Sequence, residues 1–141
     1  MARASSTIKN STLYRVIYGD TDQMGIVYYA NYLSWFERGR AEFLRQIGMP
    51  YGTVEQQGFH FPVTEVSCRY ANPARYDDVV QIETELTELG RASLSFAYRI
   101  SREGNNDVIA TGSTKHACID HGGKISRIPK IVIDALQSAA H

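Results

Sequence analysis

The stretch Tyr18–Gly48, YGDTDQMGIVYYANYLSWFERGRAEFLRQIG, decides the fold, because it joins an acidic loop directly to the longest amphipathic pattern in the chain. Winding residues 32–47 as a helix places Tyr32, Leu33, Phe36, Phe43, Leu44 and Ile47 on one side and Arg38, Glu42 and Arg45 on the other. The pattern predicts a helix with one buried face. Arg38 and Glu42, four apart, can pair on the wet side, but such a pair contributes only about 0.2–0.5 kcal/mol, so packing must hold the helix. Gly39 lies at the edge of the apolar stripe, where a missing side chain lets another chain segment come close, and Gly48 suits the left-handed residue that ends a helix. The helix is therefore expected to stop near Ile47. Arg40 falls inside the stripe, where it can snorkel, meet a buried acid or lie at a subunit contact.

Upstream, Asp20 and Asp22 sit in a run with neither helical nor strand period, followed by Gly25 and then the helix. The residue types alone favour an Asx-type turn. A helix N-terminus also carries unpaired N–H groups and a partial positive charge, so an acid beside it suits acyl chemistry through a developing oxyanion.

Before this stretch, Leu13–Tyr18 reads as a strand, and residues 1–11, polar and without period, as a frayed terminus. After it, Pro50–Gly58 reads as a short helical turn or loop. From His60 onward the period changes to two. Thr64, Val66, Cys68 and Tyr70 alternate with polar neighbours, as do Val80, Ile82, Thr84 and Leu86, then Leu94, Phe96, Tyr98 and Ile100. Leu89-Gly90-Arg91 and Gly104 to Asp107 are turns between strands, and a further strand is expected over 108–119. His121-Gly122-Gly123 makes another turn, and a short helix over 131–136 follows Pro129. One early helix followed by antiparallel strands is an α+β order, with the sheet packed on the helix face.

The 141 residues suit one domain with a sizeable core, spanning 1–141. Fifteen Lys and Arg balance fifteen Asp and Glu, so nothing suggests a nucleic-acid or membrane-surface footprint. Cys68 and Cys118 are too few for a disulfide framework, and no signal peptide or long apolar span is visible. A reduced, cytoplasmic protein is the expectation. His60, His116, His121 and His141 lack metal-ligand spacing, and neither a nucleophile elbow nor a phosphate loop appears. No metal and no redox cofactor is expected.

Tyr18-Gly19-Asp20-Thr21-Asp22, Gly25-Ile26-Val27-Tyr28-Tyr29, Asn31-Tyr32 and Phe36-Glu37-Arg38 closely resemble the signature of the 4-hydroxybenzoyl-CoA thioesterase family, including its Tol-Pal-associated acyl-CoA thioesterase branch. The resemblance continues through Tyr70-Ala71-Asn72-Pro73-Ala74-Arg75-Tyr76-Asp77-Asp78 and spans residues 13–130. It implies a hot dog fold, in which a curved antiparallel sheet wraps one long central helix. It also implies that Asp22 is the carboxylate that attacks the thioester carbonyl or deprotonates a water, and that the Tyr29 backbone N–H is the oxyanion donor. Asp20 then organises the turn. Glu37 is a second candidate acid, because another hot dog branch takes its carboxylate from the central helix; pairing with Arg40 is its structural alternative. Tyr18, Gly25, Tyr28 and Tyr32 are the candidate substrate-binding residues of the stretch. Arg91, within the family's cationic turn, joins Arg127 and Lys130 as candidates for the CoA phosphates.

The Tol-Pal-associated branch often carries His where this chain has Tyr29, which resembles the aromatic position of the hydroxybenzoyl branch instead. The partners implied are an acyl-CoA substrate and a second copy of the chain, as homodimer or homotetramer, with active sites between protomers. Two rivals share the fold: a non-catalytic acyl-ligand binding or regulatory protein, and a hydratase or dehydratase. The latter asks for a His beside the acid, and none lies between Asp22 and Gly58.

Overall fold

The computed structural model describes residues 8–140. In chain order these form β1 (Lys9–Arg15), a 3-10 turn (Tyr18–Asp20), α1 (Asn31–Gln46), α2 (Tyr51–Gln56), β2 (Phe59–His60), β3 (Val63–Tyr70), β4 (Val79–Leu89), β5 (Ser93–Arg102), β6 (Val108–Ala117), β7 (Ile119–Asp120) and α3 (Lys130–Ala139). An antiparallel five-stranded sheet runs β1-β4-β5-β6-β3, and β2 and β7 make a separate two-stranded sheet.

The sheet lies against α1 as the change of period predicts. Ile82, Leu86, Phe96, Tyr98 and Ile100 point from β4 and β5 into the core, where they meet Trp35, Phe36 and Phe43 of the helix. Phe36 stacks on Tyr98 with centroids 4.3 Å apart, and Phe43 meets Phe96 edge-on at 5.2 Å. Full burial of each such side chain contributes roughly 1.5–3 kcal/mol. Gly39 has the predicted role: a Cβ there would lie 2.2 Å from Thr84 Oγ1 and 3.0 Å from Ile82 Cγ2, so the helix rests directly on β4. Gly48, with φ of 79°, ends the helix. Its N–H reaches the Arg45 carbonyl and the Met49 N–H reaches that of Leu44, which satisfies the last turn.

Several details differ from the sequence reading. β1 starts at Lys9, inside the stretch expected to fray, because its backbone pairs with β4 and Ile8 is buried beside it; residues 1–7 of that stretch lie outside the described residues. It ends at Arg15, where Tyr18–Asp20 turns as a 3-10 segment instead of continuing the strand. The strand expected over 108–119 stops at Ala117, since the Cys118 N–H turns to the Ala92 carbonyl and β7 pairs with β2. On α1, Trp35 is buried while Leu33 is 39 % exposed, so the packed face is turned slightly from the one expected. Glu42 pairs with Arg45, not Arg38, whose guanidinium lies 4.3 Å over the Tyr14 ring.

Seven of the eight residues of β3 are exposed, and among the described residues its outer edge has no strand beside it. The alternation of Thr64, Val66, Cys68 and Tyr70 thus marks a strand, but among the described residues only Cys68 packs against the core and Tyr70 against Tyr32, and the rest of the strand stays exposed. No helix among the described residues is long and apolar enough to cross a membrane.

Candidate active site

The loop between the 3-10 turn and α1 folds back on itself. Thr21 bridges Val27, the Asp22 N–H donates to the Ile26 carbonyl at 2.9 Å, and the Gly25 N–H donates to the Asp22 carbonyl at 3.0 Å. Gly25 has φ of 78°, a left-handed turn position that a side chain would strain. The fold-back brings the acidic tripeptide alongside the residues that lead into the helix.

Its two acids are held differently. Asp20 is knitted into the scaffold: Oδ2 accepts from the Tyr14 hydroxyl at 2.6 Å and the Ile17 N–H at 3.0 Å, and its carbonyl accepts from the Tyr28 N–H and the Asn31 side chain. Burial, then the Asp20 carboxylate, pushes the Tyr14 phenol up to about 12. Asp22 is half-buried, and its side chain accepts one hydrogen bond among the described residues, from the Met24 N–H to Oδ1 at 2.8 Å. That leaves Oδ2 open for an incoming group. The Tyr28 phenol is raised by its neighbour Tyr29 first, whose ring lies 4.8 Å away, with the Asp22 charge a smaller contributor.

Ahead of α1, Asn31 donates its N–H to the Tyr28 carbonyl, whereas the Tyr29 N–H has no acceptor among the described residues and the residue is 62 % exposed. An unpaired N–H at a helix N-terminus can hold a negative oxygen. The Tyr29 carbonyl is fixed by the Tyr70 hydroxyl at 2.9 Å, so Tyr70, at the end of β3, orients the peptide unit that follows. The Tyr70 phenol is pushed up to about 12, by burial first. The sequence assigns Tyr70, within the Tyr-Ala-Asn-Pro run, no role; a phenol at a strand end, just before Pro73, is its one sequence signal. Ile26, Tyr29, Tyr32, Tyr70 and Pro73 wall a cavity beside this peptide.

The remaining candidates fall in three groups. Tyr28 and Gly25 border the loop. Tyr32 lines the cavity yet is only 3 % exposed, its hydroxyl accepting the Ala74 N–H at 3.3 Å, so it is a wall and not a mobile contact. Tyr18 is 78 % exposed, packs edge-on against Tyr76 and borders neither cavity. Glu37 forms no ion pair with Arg40; it lines a second cavity farther along α1.

Arg91 and Arg127 are brought together, since the Ile128 N–H donates to the Arg91 carbonyl at 2.9 Å. Both are exposed and carry no ion pair among the described residues, while Lys130 reaches Asp134 one turn along α3 at 2.8 Å. Among the described residues no group of three or more His, Cys, Asp or Glu is placed to hold a metal ion.

An antiparallel sheet laid on one long helix, with an acidic loop feeding the helix N-terminus, is the hot dog arrangement of the thioesterase class. A family model described as the thioesterase-like superfamily matches residues 16–136, and the chain belongs to that family. The acyl-CoA thioesterase YbgC of Haemophilus influenzae is 38 % identical over 77 % of this chain and 79 % of its own. Among solved structures, the protein TT1821 from Thermus thermophilus superposes with a TM-score of 0.86 at 38 % identity, covering 93 % of this chain and 97 % of that one. The DHNA-CoA thioesterase from Staphylococcus aureus superposes with a TM-score of 0.85 at 30 % identity, covering 93 % and 87 %.

Proposed function

We propose that this chain hydrolyses the thioester of a small or medium acyl-CoA, with Asp22 as the reacting carboxylate and the Tyr29 N–H as the oxyanion donor. The carrying observation is the pairing of an acid whose Oδ2 is open with an unpaired N–H one short fold-back away. Asp22 either attacks the carbonyl carbon, with the CoA thiolate leaving, or takes a proton from a water that does so. In both cases the carbonyl oxygen gains negative charge, and a donor fixed beforehand holds it without reorganisation. The Asn31 N–H on the Tyr28 carbonyl, which belongs to the same peptide unit as the Tyr29 N–H, supports that fixing, and the Tyr70 hydroxyl holds the next unit along through the Tyr29 carbonyl. The acyl-CoA names of the relatives and the open cavity beside Tyr29 support the reading.

In this reading Arg91 and Arg127 meet the CoA phosphates, with Lys130 joining them by exchanging its Asp134 partner for phosphate. The working form is a homodimer or homotetramer of one-domain chains in the cytoplasm. Support comes from β3, whose open edge and exposed Val63, Val66 and Tyr70 suit pairing with a second copy. A two-fold that pairs β3 with its copy would set the Tyr70 end, and so the Asp22 loop, against the partner's Val63 end. The test is free-thiol release across a panel of acyl-CoAs, with light scattering on the same sample. Turnover by a particle of at least two chains is expected. Absence of turnover across the panel refutes the activity, and a mass of one 15.8 kDa chain refutes the assembly.

A further inference from the structure

Two turns along α1 from the Asp22 loop, Arg40, Ala41 and Leu44 face Phe61, Phe96 and His116 across a cavity of about 320 Å³. That size is near the lower end for small-molecule sites, which run from about 300 to 1,000 Å³. The walls are mostly apolar, and a chain of hydrogen bonds lies beside them. Arg40 Nη1 reaches the Tyr98 hydroxyl at 3.2 Å, Tyr98 reaches Thr114 Oγ1 at 2.5 Å, and Thr114 reaches His116 Nε2 at 2.8 Å. His116 Nδ1 lies 3.0 Å from the Phe61 carbonyl.

The two ends set every direction in this chain. A carbonyl only accepts, so His116 donates from Nδ1–H, and because burial lowers the ring's pKa to about 4 its Nε2 carries no proton and accepts from the Thr114 hydroxyl. Thr114 then accepts from Tyr98, and Tyr98 accepts from Arg40, which can only donate. The neutral histidine leaves the Arg40 charge uncompensated among the described residues. No carboxylate lies within ion-pair distance of Arg40 among the described residues. Glu37 stands on the cavity wall but is exposed, where water and salt screen it. A half-buried cation with one neutral partner and four unused N–H groups is costly unless something else meets it.

We propose that this cavity binds compounds with an apolar body ending in a carboxylate, the body lying against Phe61, Leu44 and Phe96 and the carboxylate on the Arg40 guanidinium. Two sources share that chemistry: a free carboxylic acid, or the far end of an acyl group that is itself a thioester. The second source rests on the thioesterase reading; the first does not.

The full chain is titrated with benzoate and with benzamide, its neutral counterpart, by calorimetry and by NMR shifts at Ala41 and His116. Benzoate is expected to bind at least tenfold more tightly than benzamide, and Arg40→Met to remove the difference. Arg40 is the donor end of the chain, so its loss leaves the Tyr98–Thr114–His116 bonds in place, and circular dichroism checks the fold. Should that variant not fold, Ala41→Leu narrows the cavity with Arg40 retained and is expected to weaken both ligands. Equal affinity for the two ligands, unchanged benzoate binding in Arg40→Met, or shifts confined to residues outside the cavity would overturn the proposal. Hydrolysis of glutaryl-CoA against pentanoyl-CoA then separates the sources. A preference for glutaryl that Arg40→Met abolishes assigns the far carboxylate of the acyl group, and benzoate inhibition without that preference assigns the free acid. Benzoate binding with no turnover of these or any other thioester of the panel would sink the hydrolase reading and leave this site standing.

Discussion

Replacing Gly112 by alanine separates space from backbone freedom. Gly112 lies on β6 opposite Cys68 of β3, and a Cβ built on it would fall 2.4 Å from the Ser67 carbonyl oxygen and 2.5 Å from Phe36 Cζ. Neither neighbour can move freely: the carbonyl belongs to the strand backbone, and Phe36 is fully buried and stacked on Tyr98. Removing a glycine stabilises by about 0.4–1 kcal/mol through the unfolded chain. Overpacking costs about 1–3 kcal/mol, and contacts this short against backbone belong at the upper end. The net is a loss of about 2 kcal/mol, which for a chain of this length lowers Tm by about 6 °C. Gly52, in α2, is the control, because a Cβ there meets nothing within 4 Å, and Gly52→Ala should raise stability slightly. Urea melts and calorimetry on both variants read the difference. A Gly112→Ala protein as stable as wild type would refute the close approach of β3, β6 and Phe36. The displacement should also move Tyr70 at the end of β3, so Gly112→Ala is expected to lower kcat as well as Tm.

Two further outcomes follow from the polar groups. Burial lowers His116 to about 4 from its ordinary 6.5, so the unfolded chain binds the extra proton first. Its stabilising contribution is complete above about pH 6.5 and is lost as pH falls through 4, on the order of 3 kcal/mol in all. His116→Gln should flatten that part of a Tm-against-pH curve; an unchanged slope would show that His116 is not the group responsible. Arg91→Ala should raise KM for acyl-CoA while sparing a truncated pantetheine thioester that lacks the nucleotide phosphates, and equal effects on both substrates would remove Arg91 from the phosphate site.

Much of this was legible in the sequence, and the failures have physical causes. Gly39, Gly48 and the alternation in β4 and β5 were readable because each answers to one local rule: close approach, left-handed backbone, or a half-buried sheet. Trp35 and Leu33 exchanged places because an apolar stripe gives a face only to within about one residue's rotation, and the position of the sheet decides the rest. Thr64, Val66, Cys68 and Tyr70 alternate like a buried strand, yet among the described residues little covers Thr64 and Val66. Arg38 stacks on Tyr14 and Arg40 ends a hydrogen-bond chain through Tyr98, partners 24 and 58 residues away that no helical periodicity can name. Asp20 and Asp22 are alike in composition; the Tyr14 and Ile17 donors that occupy Asp20 come from strand pairing and a 3-10 turn, neither visible as a motif.

The central claim is that Asp22 carries the chemistry and Asp20 the turn. Its most direct test is kcat of Asp22→Asn on the best acyl-CoA of the panel, beside Asp20→Asn and Glu37→Gln. The amide of Asp22→Asn can still accept the Met24 N–H, so the loop should hold and circular dichroism should match wild type. Charge and basicity are lost, and a fall in kcat of about 10²–10⁴-fold is expected. Asp20→Asn weakens the acceptor shared by Tyr14 and Ile17, which should cost about 1–3 kcal/mol of stability with a smaller loss of kcat. Near wild-type kcat in Asp22→Asn, together with an inactive Glu37→Gln, would contradict the account and move the reacting carboxylate onto α1.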